Sequence, residues 1–442
     1  MQNGLRLCVV LAAILASAAP AVAQGARPAR PNIVLIVTDD VGYGDIGSYG
    51  APDVRTPNID RLVREGTRFT DFYAAPTCTP TRASLISGRY YQRSTLEHPL
   101  GNVTSRDAER GLPADGYSLP RQLKDAGYTT ALFGKWHLGY KPEYSPLTHG
   151  FDAFFGFKSG FIDYYQHTGG DGRPDLFEND QPVQVEGYMT DLITERSVRF
   201  VEAHTREPFF LEVAYNAAHW PFQVPGHPSV APNNARFVQP HDQDTSTRQD
   251  YVAVLERADQ GVGQILAALD RTGLAGSTLV IFTNDNGGEW LSRNAPLFHR
   301  KDTVWEGGIR VPLVMRWPGR VPARKVTPQV GITMDLTATI LGAAGVTVPG
   351  AARPDGVNLL PVVEGRAPVM ERTLYFRNVL PARAQRAVRQ GDWKLLVDGP
   401  NTMLFNVRDD VGERNDLART RQDIARRLRP LIAAWEKDVD GK

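Results

Sequence analysis

Asn32-Ile33-Val34-Leu35-Ile36-Val37, followed at once by Thr38-Asp39-Asp40, is the stretch that decides how this chain folds. The run is apolar after its first residue and rich in β-branched side chains, so it has no polar face to turn toward water. It reads as a strand buried on both sides, the kind that builds parallel sheets. The same design recurs along the chain. Thr129-Thr130-Ala131-Leu132-Phe133 runs into Gly134-Lys135-Trp136-His137, and Pro208–Tyr215 runs into Asn216-Ala217-Ala218-His219. Thr278–Thr283 runs into Asn284-Asp285-Asn286-Gly287-Gly288.

Amphipathic stretches lie between these runs. Asn58–Glu65 has helical spacing and stops at Gly66, Leu119–Ala126 stops at Gly127, and Tyr188–Ala203 and Gln249–Leu269 are longer. Strands alternating with helices predict an α/β domain, a large mixed, mostly parallel sheet sandwiched by helices. Ligands of such sheets sit beyond the carboxyl ends of the strands, which puts the polar clusters on one edge and in one site. The pattern changes after about Gly365. Thr373–Phe376, Arg386–Arg389, Lys394–Val397 and Thr402–Phe405 read as short strands, and Asp416–Asp438 as a charged helix. The expected division is a catalytic domain over residues 24–365 and a small antiparallel subdomain with a terminal helix over 366–442.

Arg6, the apolar run Leu7–Ala19 and Ala21-Val22-Ala23 have the order of a secretory signal. Residues 1–23 are expected to be removed, and the product to be periplasmic or secreted. The run is short of the ~20 residues a membrane span needs, and no later segment reaches that length. Lys plus Arg is 50 against 49 Asp plus Glu, a net charge of +1. That balance gives no polyanion-coating surface and counts against nucleic acid as a partner. Cys8 leaves with the signal, so Cys78 is the mature chain's lone cysteine, exported with no partner for an internal disulfide.

Asp39-Asp40 and Asp285-Asn286 offer oxygen donors only, which suit Ca²⁺ or Mg²⁺ better than zinc. Either cluster alone is more often a solvated turn; two of them, each directly after a buried strand, point to a metal site. Thr79 suits a helix N-cap and Pro80 a first turn, so a helix running to Gly88 would set Cys78 at its positive end, with Arg82 close by. The cysteine could equally be a buried structural residue, or a thiolate paired with an ordinary histidine base. Lys135, His137, His219 and Lys301 add cations and proton donors at other strand ends and loops. Singly they are unremarkable surface or structural residues; together they describe a pocket for a tetrahedral oxyanion whose leaving group needs a proton.

With these residues in view, the chain resembles the type I, formylglycine-dependent sulfatases of the alkaline phosphatase superfamily. Pro31–Asp40 resembles the family's opening strand, and Cys78-Thr79-Pro80-Thr81-Arg82 matches its C-x-P-x-R signature. Gly134–Gly139, His219-Trp220-Pro221, Asp285-Asn286-Gly287 and Lys301 ahead of Glu306-Gly307-Gly308 match further blocks in order. The resemblance implies that a formylglycine-generating enzyme oxidises Cys78 to Cα-formylglycine. One hydroxyl of its hydrate would attack sulfur, and the other would lose a proton to release sulfate. It implies one Ca²⁺ held by Asp39, Asp40, Cys78, Asp285 and Asn286, and Arg82 holding the hydrate. Lys135, His219 and Lys301 would grip sulfate oxygens, with His219 or Lys301 protonating the leaving oxygen and His137 taking the elimination proton. Thr81 stands where the family usually has Ser, as does Asn284 ahead of Asp285. The implied activity is hydrolysis of an aryl sulfate or a sulfated sugar. A phosphate or phosphonate ester hydrolase on the same scaffold, or a non-catalytic binder of sulfated glycans with unmodified Cys78, are the competing readings.

Overall fold

The computed structural model describes residues 30–227, 246–352, 354–380 and 383–441. The signal-like segment, Cys8 included, lies outside them. Four strands carry the repeated design: β1 (Asn32–Thr38), β2 (Thr129–Lys135), β3 (Phe209–Ala214) and β4 (Thr278–Asn284). They are neighbours in the order β4-β1-β3-β2 at the centre of a ten-stranded mixed sheet, and all their pairings are parallel. The register pairs Thr38 with Asn284 and Val37 with Ala214, and Gly134 with Ala214, so their carboxyl ends come level. The sheet is extended on one side by Ala153–Phe157 and on the other by Leu313–Arg316, which runs antiparallel to β4.

Burial on both faces explains the unbroken apolar runs. Val34 and Ile36 enter one core, with α1 (Pro57–Glu65), α4 (Met189–Ala203) and α5 (Arg248–Arg271). Ile33, Leu35 and Val37 enter the other, with α2 (Cys78–Ser87), α3 (Leu119–Asp125) and α6 (Thr333–Ala343). Each aliphatic side chain so buried contributes about 2 kcal/mol. No helix among the described residues is long and apolar enough to cross a membrane.

The C-terminal strands β5 (Thr373–Leu380), β6 (Arg383–Gln390), β7 (Trp393–Asp398) and β8 (Asn401–Asn406) form an antiparallel four-stranded sheet in chain order. The terminal helix α7 spans Gln422–Val439, beginning later than the sequence pattern suggested. Asp416 accounts for the difference, since its carboxylate accepts from Leu404 N and Ala418 N and holds the chain in turns. Buried charges join this sheet to the segment that follows β4. Lys394 Nζ lies 2.8 Å from Glu306 Oε1 and 2.9 Å from Glu413 Oε1, and Arg310 and Tyr73 bond Glu306 Oε2.

Candidate active site

α2 brings Cys78 and Arg82 under the ends of β1 and β4. Its N-cap is Thr77, and the helix starts at Cys78, two residues before the start expected from Thr79 and Pro80. Thr79 is occupied elsewhere, its hydroxyl donating to His137 O (3.1 Å) and accepting from Leu100 N (3.2 Å). Gly88 ends the helix in the left-handed conformation at φ 69°. Residues 78–86 are all buried, which is why the helix has no amphipathic stripe to read.

The sequence-predicted residues converge. Lys135 Nζ lies 2.6 Å from Asp39 Oδ2 and Lys301 Nζ 2.7 Å from Asp40 Oδ2. Arg82 donates to Asp285 Oδ2 at 2.9 Å and to Lys135 O at 3.0 Å. Asn286 Nδ2 donates to Asp40 Oδ1 at 2.6 Å. His219 Nε2 stands 3.4 Å from Asp40 Oδ2 and 3.5 Å from Lys301 Nζ, with Nδ1 2.7 Å from Trp220 O. His137 sits somewhat apart, its Nε2 2.9 Å from Leu100 O. Asp40 (φ 57°) and His137 (φ 56°) hold left-handed backbone without being glycine, a conformation that clusters at functional sites.

Electrostatics follow from burial and pairing. Burial pulls the Lys301 ammonium down, but Asp40 and Glu289 outweigh it and hold the group well above its usual value. Burial pushes Asp40 up, yet Lys301, His219 and Lys135 bring its carboxyl below the ordinary range. Asp39 goes the other way, raised by burial and by Asp285 against the pull of Lys135. Burial lowers His219 to about 3 and pushes the Cys78 thiol up to about 11, despite Lys135 and Lys301. A free thiolate is disfavoured there. His219 turns to Asp40, Lys301 and Trp220, while His137 engages Leu100 O through Nε2 only.

The donor set fits a hard cation. Asp39 Oδ1 and Asn286 Oδ1 are buried oxygens with no hydrogen-bond partner among the described residues. The carboxylates of Asp39 and Asp40 and the His219 ring lie with ligand atoms within 4.8 Å of one another. Asp285 is turned toward Arg82 instead, and its Oδ1 accepts from Asp40 N at 3.3 Å.

Residues that sequence reasoning passed over also belong here. Glu289, in the loop after β4, lies 3.4 Å from Lys301 Nζ and accepts from Trp220 Nε1 at 3.3 Å. Its one signal was an acidic residue four places after Asp285. Phe161 stacks on His219, with ring centroids 5.8 Å apart and planes within 5°. Several polar loop residues prove architectural. Asp163 caps the turn at Tyr165 and Gln166, Tyr164 donates to Asn216 O and His219 O, and Lys158 sits over the Phe177 ring.

A mixed α/β sandwich whose central strand ends gather acids, lysines and an arginine around a buried helix N-terminus defines a hydrolase of oxyanion esters. The chain belongs to the sulfatase family and is a sulfuric ester hydrolase. The family model described as Sulfatase matches residues 31–346, and that of the N-sulphoglucosamine sulphohydrolase C-terminal region matches 296–436. N-acetylgalactosamine-6-sulfatase of the dog is 35% identical, over 85% of this chain and 73% of its own length. Arylsulfatase A of cattle is 34% identical, over 88% of this chain and 77% of its own. The crystal structure of Ps i-CgsB superposes with a TM-score of 0.84 at 31% identity, covering 92% of this chain and 93% of that one. The same protein in complex with k-i-k-neocarrahexaose gives 0.83 at 31% identity, with the same coverage.

Proposed function

We propose that this sulfuric ester hydrolase acts on sulfated sugars through position 78 carried as Cα-formylglycine, beside a Ca²⁺ ion at the ends of β1 and β4. The observation that carries the reading is the pair of buried oxygens without a partner among the described residues, Asp39 Oδ1 and Asn286 Oδ1, with Arg82 3.9 Å from the Asp39 carboxylate. Asp39, Asp40, Asp285, Asn286 and residue 78 would hold the ion. Bound there it supplies positive charge against the sulfate oxygens, and the hydrated aldehyde at position 78 supplies a nucleophilic hydroxyl with a second on the same carbon.

The chain's own side chains do the remaining work. Arg82, fixed by Asp285 and the Lys135 carbonyl, orients residue 78. Lys135 and Lys301 are the donors for sulfate oxygens. The His219 hydrogen bond to Trp220 O requires the proton on Nδ1, which leaves Nε2 a lone pair that receives Lys301. Lys301 is therefore the proton donor to the leaving oxygen, and His219 orients it. His137 gives its Nε2 proton to Leu100 O, and Nδ1 is buried with no partner among the described residues. That lone pair suits the proton taken up when product leaves.

A sulfated sugar is favoured by the N-acetylgalactosamine-6-sulfatases among the relatives and by the neocarrahexaose bound to Ps i-CgsB. Maturation would need a formylglycine-generating enzyme acting on Cys78–Arg82. The signal-like residues 1–23 support export to the periplasm or beyond, and we read the chain from about residue 366 as a separate subdomain. Mass spectrometry of the tryptic peptide Phe69–Arg82 from the native source tests the reading. An aldehyde at position 78 is expected, and a quantitative free thiol would sink the mechanism. Rates on paired aryl sulfate and aryl phosphate esters are expected to favour sulfate.

A further inference from the structure

The loop that carries Lys301 is strained on both sides of it. His299 (φ 70°) and Asp302 (φ 66°) are left-handed without being glycine, which costs about 1–2 kcal/mol each. Such backbone persists only where its surroundings over-determine it. Part of the restraint comes from the large domain. Lys301 N donates to Gly288 O at 3.2 Å, and Asp302 N donates to Pro76 O at 3.0 Å, just ahead of Cys78.

The rest comes from the C-terminal sheet. Asn378 Nδ2 donates to Asp302 O at 2.8 Å, and Val304 N donates to Gln385 Oε1 at 3.0 Å. Asn378 and Gln385 are direct cross-strand partners on β5 and β6, so their side chains leave the same face of the sheet. One pair thus takes hold of the backbone on either side of Thr303. Both side chains are sealed from solvent, at 3% and 0% exposure. Gln385 is itself fixed, its Nε2 donating to Asp398 Oδ2 at 2.8 Å, and Asp398 is gripped by Arg383.

We propose that the Asn378–Gln385 pair is the positioning device for Lys301, which makes the C-terminal sheet a working part of the active site. Neither side chain reaches the reacting atoms; both act through the backbone of the Lys301 loop. The inference rests on Lys301 being the proton donor, and a misplacement of about 1 Å at such a group can cost on the order of 10²-fold in rate.

The test uses the full-length, matured protein. Asn378→Ala and the near-isosteric Asn378→Asp, whose carboxylate has no hydrogen for Asp302 O, are made alone and together with Lys301→Ala. Turnover is measured on 4-nitrophenyl sulfate and on a sugar sulfate, alongside hydrogen exchange of the segment 299–305. With Lys301 present, kcat is expected to fall about tenfold to a hundredfold, more on the sugar sulfate, whose leaving oxygen needs the proton, with KM little changed. With Lys301→Ala, the position-378 changes are expected to add no further loss, and 299–305 to exchange faster in every position-378 variant. Equal losses in both backgrounds, retained kcat, or unaltered exchange at 299–305 would overturn the proposal. If the unmutated enzyme turned over no sulfate ester, the proton-donor reading would fall, and the exchange of 299–305 would still decide whether the clamp exists. Should Asn378→Ala not fold, Asn378→Asp and Gln385→Ala carry the same comparisons.

Discussion

Lys135 Nζ and Asp39 Oδ2 are 2.6 Å apart, and both side chains are wholly sealed from solvent. A buried pair of this kind is costly to break from one side, because the surviving carboxylate loses its nearest counter-charge and keeps only Arg82, 3.9 Å away. Lys135→Met is therefore expected to lower stability by about 3–5 kcal/mol, read as a shift in the urea midpoint. An unchanged midpoint would mean that the pair is far better solvated than its geometry says.

Cation binding gives a readout that does not depend on turnover. Calcium added to chelator-treated protein is expected to raise Tm, by an amount equivalent to about 2.7 kcal/mol at a hundred times Kd. Asp39→Asn and Asn286→Ala remove or alter the unpartnered oxygens, and the calcium-dependent increment is expected to shrink or vanish in both. A full increment in Asn286→Ala would remove that side chain from the ligand set.

Cys78→Ser separates a plain hydroxyl nucleophile from the proposed hydrate. The serine variant is expected to release at most one equivalent of alcohol per enzyme and then stop, followed as a burst on 4-nitrophenyl sulfate. Sustained turnover by the serine enzyme would show that no second hydroxyl is needed.

Glu212 lies wholly buried on β3, and burial pushes its carboxyl from 4.5 up to about 7 while Arg82 pulls it down. The unfolded chain ionises near 4.5 and the folded one near 7, so the folded state binds the extra proton between them. Stability from this group is full below about 4.5, falls as pH rises to about 7, and is level beyond. The loss across that window is on the order of 3 kcal/mol. Glu212→Gln is expected to flatten that part of the Tm-against-pH curve. A variant that kept the wild-type slope would place the titration elsewhere.

How much could be read beforehand varied with how local the signal was. β1 to β4 announce themselves because a strand buried on both faces reads as a nearly continuous apolar run, and Asp39, Asp40, Asp285 and Asn286 follow directly from those ends. α2 starts two residues before the start that Thr79 and Pro80 suggest, because the Thr79 hydroxyl is engaged by His137 O and Leu100 N, contacts far along the chain. Glu289 and Glu212 were passed over because a lone glutamate in sequence is ordinarily solvated. Asn378 and Gln385 carried no signal at all. Their partners lie 76 and 81 residues away along the chain, and an amide that binds another loop's backbone looks like any other amide.

The register of β1 has a last consequence, for length rather than identity. Its residues alternate between two separate cores, Val34 and Ile36 into one, Ile33, Leu35 and Val37 into the other. Substitution among aliphatic residues keeps that alternation, whereas one inserted residue shifts the chain by about 3.3 Å and sends the residues after it to the wrong sides. Asp39 and Asp40 would then overshoot Lys135 and Lys301. The strand works as a ruler: its spelling can drift, but its count from Asn32 to Asp40 cannot.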